Sequence, residues 1–142
     1  MRKDIFDMIA SNRFCVLATA ADDAPHCSLM SYACSDDCGE LYMATSKSTK
    51  KYDNLKKNPT VSLLVDSRQS DSTRPLRALT ITGTYLGAYP SAEKSDLRNR
   101  LIERHPDLNS FINDDQTEIV IIKIRTLQLL DGVLDAYYEE VP

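Results

Sequence analysis

Between Thr45 and Lys51 the chain reads TSKSTKK, which brings four hydroxyls and three ammonium groups into one short turn. A turn of this kind that opens a helix also presents backbone N–H groups without helical partners. Hydroxyls, cations and free amides together are the donors that a phosphate dianion needs, and the positive end of the helix dipole adds to them. A plainer reading stands beside this one. Lys47, Lys50, Lys51, Lys56 and Lys57 also suit the solvated face of an amphipathic helix that buries Tyr52 and Leu55.

The elements around the turn decide where it sits. Leu41 and Met43 alternate with Tyr42 and Ala44, and Val61, Leu63 and Val65 alternate with Ser62 and Leu64. That period of two predicts half-buried strands on both sides. Between them the helix is short and is ended by Asn58-Pro59. The turn therefore lies at a strand end, between two strands.

The pattern Thr45, Thr49, Lys50, Lys51, Leu55, Asn58, Pro59 between two strands resembles the phosphate-binding segment of the pyridoxamine 5'-phosphate oxidase-like flavoproteins, the FMN-binding split barrels. The likeness extends upstream, where Phe14–Ala21, the polar turn Asp22-Asp23-Ala24-Pro25 and His26–Tyr32 resemble that family's opening hairpin. Downstream, Arg77–Thr84 with Gly83 resembles its fifth strand, so the resemblance spans roughly residues 5 to 130. It implies a mainly β (α+β) fold, a six-stranded antiparallel split β-barrel with short flanking helices, and FMN as cofactor. It further implies that Thr45, Lys50 and Lys51 hold the phosphate, with Ser46 and Thr49 close by. Ser28, Leu29, Met30 and Ser31 would lie along the isoalloxazine ring and bond it largely through main-chain groups. Arg77 falls near a family position that reaches the flavin from the next strand. In that family two subunits pack side by side and both contribute to each flavin site, which implies a homodimer here.

Composition is consistent with one domain over residues 1–142, with 42% hydrophobic and 27% charged residues. No window approaches the roughly 18 apolar residues of a membrane span. The opening MRKDIFDMIA carries acids too early for a secretory signal, so a cytoplasmic protein is expected. Residues 47–57 carry five lysines and one aspartate, whereas the whole chain has a net charge of −4. A basic focus on an acidic body suits a small anion and opposes nucleic acid, as does the absence of Trp with only three Phe. The four glycines form no glycine-rich loop, which argues against a Rossmann or P-loop nucleotide site.

Strands are predicted near 14–21, 26–34, 40–45, 60–66, 77–88 and 118–130. Ile5, Met8 and Ile9 make a short helical stripe, and Asp66 to Pro75 reads as an exposed loop. After Tyr89-Pro90, Ser91 is the expected N-cap of a helix that carries Leu97, Leu101 and Ile102 on one face and runs to about Arg104. A helical turn through Leu108, Phe111 and Ile112 should follow. From Glu118 to Leu130 both sides of the strand are apolar, which predicts burial on both faces.

Other reactive residues point less far. Cys15, Cys27, Cys34 and Cys38 are read as reduced, isolated structural thiols, because nothing marks the chain as secreted. A zinc site at Cys34-x3-Cys38 lacks a second close pair, so no metal is expected. His26 and His105 have no nucleophile at a known spacing and are expected in surface or hydrogen-bonded structural roles. Tyr137 and Tyr138 could stack on a flavin or pack at a subunit contact. True pyridoxamine phosphate oxidases end in an arginine-containing clamp for the substrate phosphate, whereas this chain has no Arg after Arg125, so vitamin B6 oxidation is not expected. The reading is therefore an FMN-binding oxidoreductase with a small-molecule substrate. The alternatives are an FMN-binding electron carrier or flavin sensor without catalysis, and, opposed by charge, a small nucleic-acid-binding barrel.

Overall fold

The computed structural model describes residues 1–68, 75–87 and 91–142, with residues 91–93 described by their backbone alone. Most of the expected loop from Asp66 to Pro75, and the change of pattern at Tyr89-Pro90, lie outside the described residues. Among the described residues eight strands form a single antiparallel sheet: β1 (Phe14–Ala21), β2 (Ala24–Ser31), β3 (Ala33–Cys34), β4 (Glu40–Ser46), β5 (Thr60–Asp66), β6 (Arg77–Tyr85), β7 (Thr117–Asp131) and β8 (Asp135–Glu140). The helices are α1 (Lys3–Ser11), α2 (Lys50–Lys57), α3 (Ser91–Arg104) and the short α4 (Asn109–Ile112), the last preceded by a 3-10 turn at Pro106–Leu108.

The sheet order is β2-β1-β5-β6-β7-β4-β3, with β8 paired to β7. Its two ends, β2 and β3, are separated in the chain only by Tyr32. A ribbon whose first and last strands are joined by one residue must curl, and that curl makes the barrel. Tyr32 is 1% exposed. Its N–H donates to the Arg13 carbonyl at 3.1 Å and its hydroxyl to the Ile9 carbonyl at 2.6 Å. The single strand expected over 26–34 is thus broken here, because the chain leaves β1 on one side and joins β4 on the other.

The split-barrel fold expected from the sequence is the one observed, but its six strands are corrected to eight. One extra strand comes from the break at Tyr32. The other, β8, has the sequence DAYYEE, whose acids are poor strand formers; pairing with β7 from Thr126 to Asp131 overrides that preference.

β7 organises the packing. Its first half pairs with β4 and its second half with β8, while β6 runs along the opposite edge. Val120, Ile122 and Ile124 face the barrel interior with Leu17, Leu63 and Ile81. Ile119 and Ile121 face outward and are covered by Leu101 of α3 and Ile112 of α4. Burial on both faces is what the apolar run predicted, and each such side chain taken from water contributes about 1.5–3 kcal/mol.

Gly83 sits at a register irregularity between β6 and β7. A Cβ there would lie 2.6 Å from Ile122 Cγ2 and 2.9 Å from the Lys123 carbonyl oxygen. Backbone cannot yield as a side-chain tip can. Gly83→Ala is therefore expected to destabilise the protein by about 1–3 kcal/mol through overpacking, read as a lower urea midpoint. An unchanged midpoint would show that the sheet relaxes there without cost.

Candidate functional site

The turn from Thr45 to Lys51 folds around its own hydroxyls. Thr49 caps α2: its backbone is extended, with φ −84° and ψ 155°, and its Oγ1 accepts the Tyr52 N–H at 3.3 Å. The same hydroxyl donates to the Ser46 carbonyl at 2.9 Å and lies 3.0 Å from Thr45 Oγ1. Since its one proton goes to Ser46, Thr45 is the donor of the pair. Ser46 and Ser48 pair their hydroxyls at 3.0 Å. An N-cap of this type contributes about 1 kcal/mol. Asn58, followed by Pro59, ends the helix, as expected.

Capping leaves donors to spare. The amides of Lys50 and Lys51 have no hydrogen-bond partner among the described residues. Lys47 is turned away, its Nζ 3.3 Å from the Asp115 carbonyl. Lys51 lines a cleft, whereas Lys50, one residue earlier and about 100° around the helix, is exposed and does not.

That cleft, of about 370 Å³, runs from the start of α2 along β2 to the outer helices. Its polar end is Thr45, Ser46, Thr49 and Lys51. Leu29, Met30 and Ser31 of β2 form one wall, and Leu101, Leu108, Phe111 and Ile112 form the other. β2 pairs only with β1, so its second edge keeps main-chain N–H and C=O groups unpaired among the described residues. Such an edge can bond a flat polar ring that lies against it. The helical wall is pinned by Thr117 Oγ1, which donates to the Phe111 carbonyl at 2.7 Å.

Of the ten residues singled out in the sequence, seven line this cleft: Leu29, Met30, Ser31, Thr45, Ser46, Thr49 and Lys51. Three do not. Ser28 faces Leu17 of β1, with its hydroxyl 3.4 Å from His26 Nδ1. Lys50 stands at the rim of α2. Arg77 opens β6 opposite Asp131, at the far end of β7 from Thr117, which pairs with Ser46. The apolar wall from α3 and α4 was missed as part of a site. Its traces in the sequence were the helical stripe of Leu97, Leu101 and Ile102 and the helical turn through Leu108, Phe111 and Ile112, which read equally well as core.

The remaining candidates are structural. His105 is 2% exposed, with Nε2 2.8 Å from the Tyr32 carbonyl, the hydrogen-bonded role expected of it. Tyr137 packs under the Arg2 guanidinium at 4.1 Å, and Tyr138 is exposed on β8; neither lines the cleft. Among the described residues no group of three or more His, Cys, Asp or Glu side chains converges on a metal position.

Known structures share this architecture. A heme-binding protein from Mycobacterium smegmatis matches with a TM-score of 0.82 at 15% identity, over 94% of this chain and 55% of that one. General stress protein 26 from Bacillus anthracis matches at 0.73 and 22% identity, over 98% and 97% of the two chains. An FAD-binding protein from Mesorhizobium loti matches at 0.74 and 20% identity, over 91% and 93%. This chain thus spans just over half the length of the first of these and nearly all of the other two. A search of curated proteins found no match. The sequence profile described as pyridoxamine 5'-phosphate oxidase matches residues 1–130. With that match over most of its length, and with the split barrel that the profile implies, the chain belongs to the pyridoxamine 5'-phosphate oxidase family.

Proposed function

We propose that this protein binds FMN in the cleft between β2 and the start of α2, and that it acts as an oxidoreductase on a small, flat substrate. The observation that carries the reading is the pairing of a phosphate-type donor set with an adjacent slot that has one polar main-chain edge and one apolar wall. Lys51, the free amides of Lys50 and Lys51, and the hydroxyls of Ser46 and Ser48 suit a phosphate. Thr45 can add its proton by turning away from Thr49. The edge of β2 suits the polar rim of a flavin ring, and Leu101, Leu108 and Phe111 keep water from its face.

Bound flavin supplies the hydride and electron chemistry, so the chain itself needs only to bind, orient and shield it. This accounts for the lack, among the described residues of the cleft, of a nucleophile paired with a histidine or carboxylate base. A subunit contact completes the reading. Phe14, Leu29 and Leu64 are 41%, 73% and 38% exposed on neighbouring strands and form an apolar row beside the cleft. A second copy of the chain is proposed to cover it, with a flavin site at each side of the interface. Light scattering should then give twice 16.0 kDa with FMN bound; the monomer mass would reject this part. Among the described residues no helix is long and apolar enough to cross a membrane.

The direct test compares FMN with riboflavin by fluorescence quenching. The two differ only in the phosphate, and each charge-assisted bond is worth roughly 1.5–3 kcal/mol. FMN should bind at least tenfold more tightly, on the order of one such bond. Equal affinities would sink the phosphate assignment. Anaerobic mixing of the FMN-loaded protein with NADH or NADPH then separates an enzyme, which bleaches and turns over once an electron acceptor is added, from a carrier, which needs a protein donor.

A further inference from the structure

A second cleft, of about 370 Å³, opens on another face of α3 and is lined by Tyr32, Cys34, Arg100 and Arg104. None of these groups lines the cleft at the start of α2. Cys34 ends β3 and is half-buried, and Cys38 lies in the following hairpin loop, fully buried. Their sulfurs are 3.4 Å apart, hydrogen-bonded and without a disulfide. The thiols expected to be isolated are therefore a pair.

The loop holds them in place. The Cys38 N–H donates to the Ser35 carbonyl at 2.9 Å, and the Ser35 N–H donates to the Glu40 carbonyl at 3.0 Å. Arg100 clamps the same loop, donating to the Cys34 carbonyl at 3.1 Å and to Asp36 at 2.9 Å. Arg104 is fixed against α1 through the carbonyls of Ala10 and Asn12.

The charge environment sorts the two sulfurs. The hydrogen bond from Cys38 pulls the Cys34 thiol down to about 7 against its burial, helped by Arg104 and Arg100 and opposed by Asp36. The same hydrogen bond, with burial, pushes Cys38 up. Of the two thiols, Cys34, the sulfur that faces the cleft, is therefore the one that gives up its proton first, while Cys38 keeps its own. Of the other two cysteines, Cys15 is buried and its thiol is pushed up to about 12, while Cys27 is exposed on β2 and does not line this cleft.

We propose that Cys34 and Cys38 are a reversible dithiol–disulfide site, oxidised by small hydroperoxides that enter through this cleft. The Cys34 thiolate attacks the terminal oxygen of the hydroperoxide. An S–O bond forms, the O–O bond breaks, and the alkoxide leaves as the alcohol after taking a proton, which gives the Cys34 sulfenic acid. Cys38 then attacks that sulfur. The S–S bond forms, the S–O bond breaks, and hydroxide leaves with the Cys38 proton as water. Two thiols and one hydroperoxide thus give one disulfide, one alcohol and one water, and a small thiol reductant reverses the change by exchange. Closing the bond needs the sulfurs to approach to about 2.0 Å. Cys38, shut away from solvent, meets no other electrophile.

The test treats the reduced protein with hydrogen peroxide, blocks remaining thiols, and cleaves at Asp36 and Asp37, which separate the two cysteines. The expected product is a pair of peptides joined through Cys34 and Cys38 within one chain, restored by dithiothreitol. The link should form equally in a Cys27→Ser variant. Cys34 should be consumed about threefold faster than Cys27 or more, since the Cys38 thiol, Arg100 and Arg104 favour its thiolate. Cys38→Ser should halt at a Cys34 sulfenic acid that dimedone captures. Faster oxidation of Cys27, or crosslinks between chains with no internal link, would overturn the proposal. So would a folded Cys38→Ser variant that yields no dimedone adduct; if that variant does not fold, the mapping on the parent protein decides alone.

Discussion

Replacing both Lys50 and Lys51 with alanine is expected to cost about two decades of FMN affinity, most of it at Lys51. A charge-assisted bond to phosphate contributes roughly 1.5–3 kcal/mol, or one to two decades. Lys51 lines the cleft, so Lys51→Ala should lose that amount by itself. Lys50 is exposed and off the wall, and its ammonium acts through water and salt, which limits it to less than about 1 kcal/mol. Its amide remains in the alanine variant. Riboflavin binding should be nearly unchanged in all three variants, because the ring contacts are untouched. A double variant that quenches FMN fluorescence with the parent's affinity would place the phosphate elsewhere.

Leu101→Ala should be the most damaging truncation near the site. Leu101 is 1% exposed and packs with Ile112, Ile119, Ile121 and Tyr42, where it holds α3 to the outer face of β7. Leu-to-Ala changes at such positions cost about 2–5 kcal/mol, which corresponds to a fall of about 1–2 M in the urea midpoint. The same side chain is part of the cleft wall, so flavin binding should weaken as well. Phe111→Ala separates the two effects. Phe111 is 37% exposed, so its loss should leave stability within about 1 kcal/mol while it still opens the wall above the ring. Leu101→Ala with a parental midpoint would mean that α3 is not anchored as described. Phe111→Ala with parental flavin affinity would remove the helical wall from the site.

The two variants also mark where local pattern stops being informative. The stretch from β4 through α2 to β5 could be read from the chain alone, because each of its signals acts within a few residues: alternation sets the strands, Thr49 caps the helix and Asn58-Pro59 ends it. The split barrel came with the resemblance to the pyridoxamine 5'-phosphate oxidase-like family that the order and spacing of such segments carry. Nothing local distinguishes a leucine that closes a cleft from one that fills a core, since both need only an apolar stripe. Leu101 does both, and its partners on β7 stand nearly twenty residues further along the chain.

Non-local pairing settled the other points in the same way. The chain from 26 to 34 alternates like one strand, yet Tyr32 divides it, because β2 and β3 are drawn to opposite ends of the sheet. β8 has the composition of a tail and becomes a strand because β7 extends beyond β4 and leaves an edge to pair. Lys50 and Lys51 are equivalent as letters and differ by a turn of about 100° around α2, which gives the cleft to one and solvent to the other. Cys34 and Cys38 are four residues apart in the sequence, but only the hairpin that Arg100 clamps brings their sulfurs within 3.4 Å. The sequence by itself determined most of the strands and helices and the cluster of hydroxyls and lysines that opens α2, since those follow from contacts a few residues apart. The tertiary structure decided which side chains share a wall, because that depends on contacts between segments far apart in the chain.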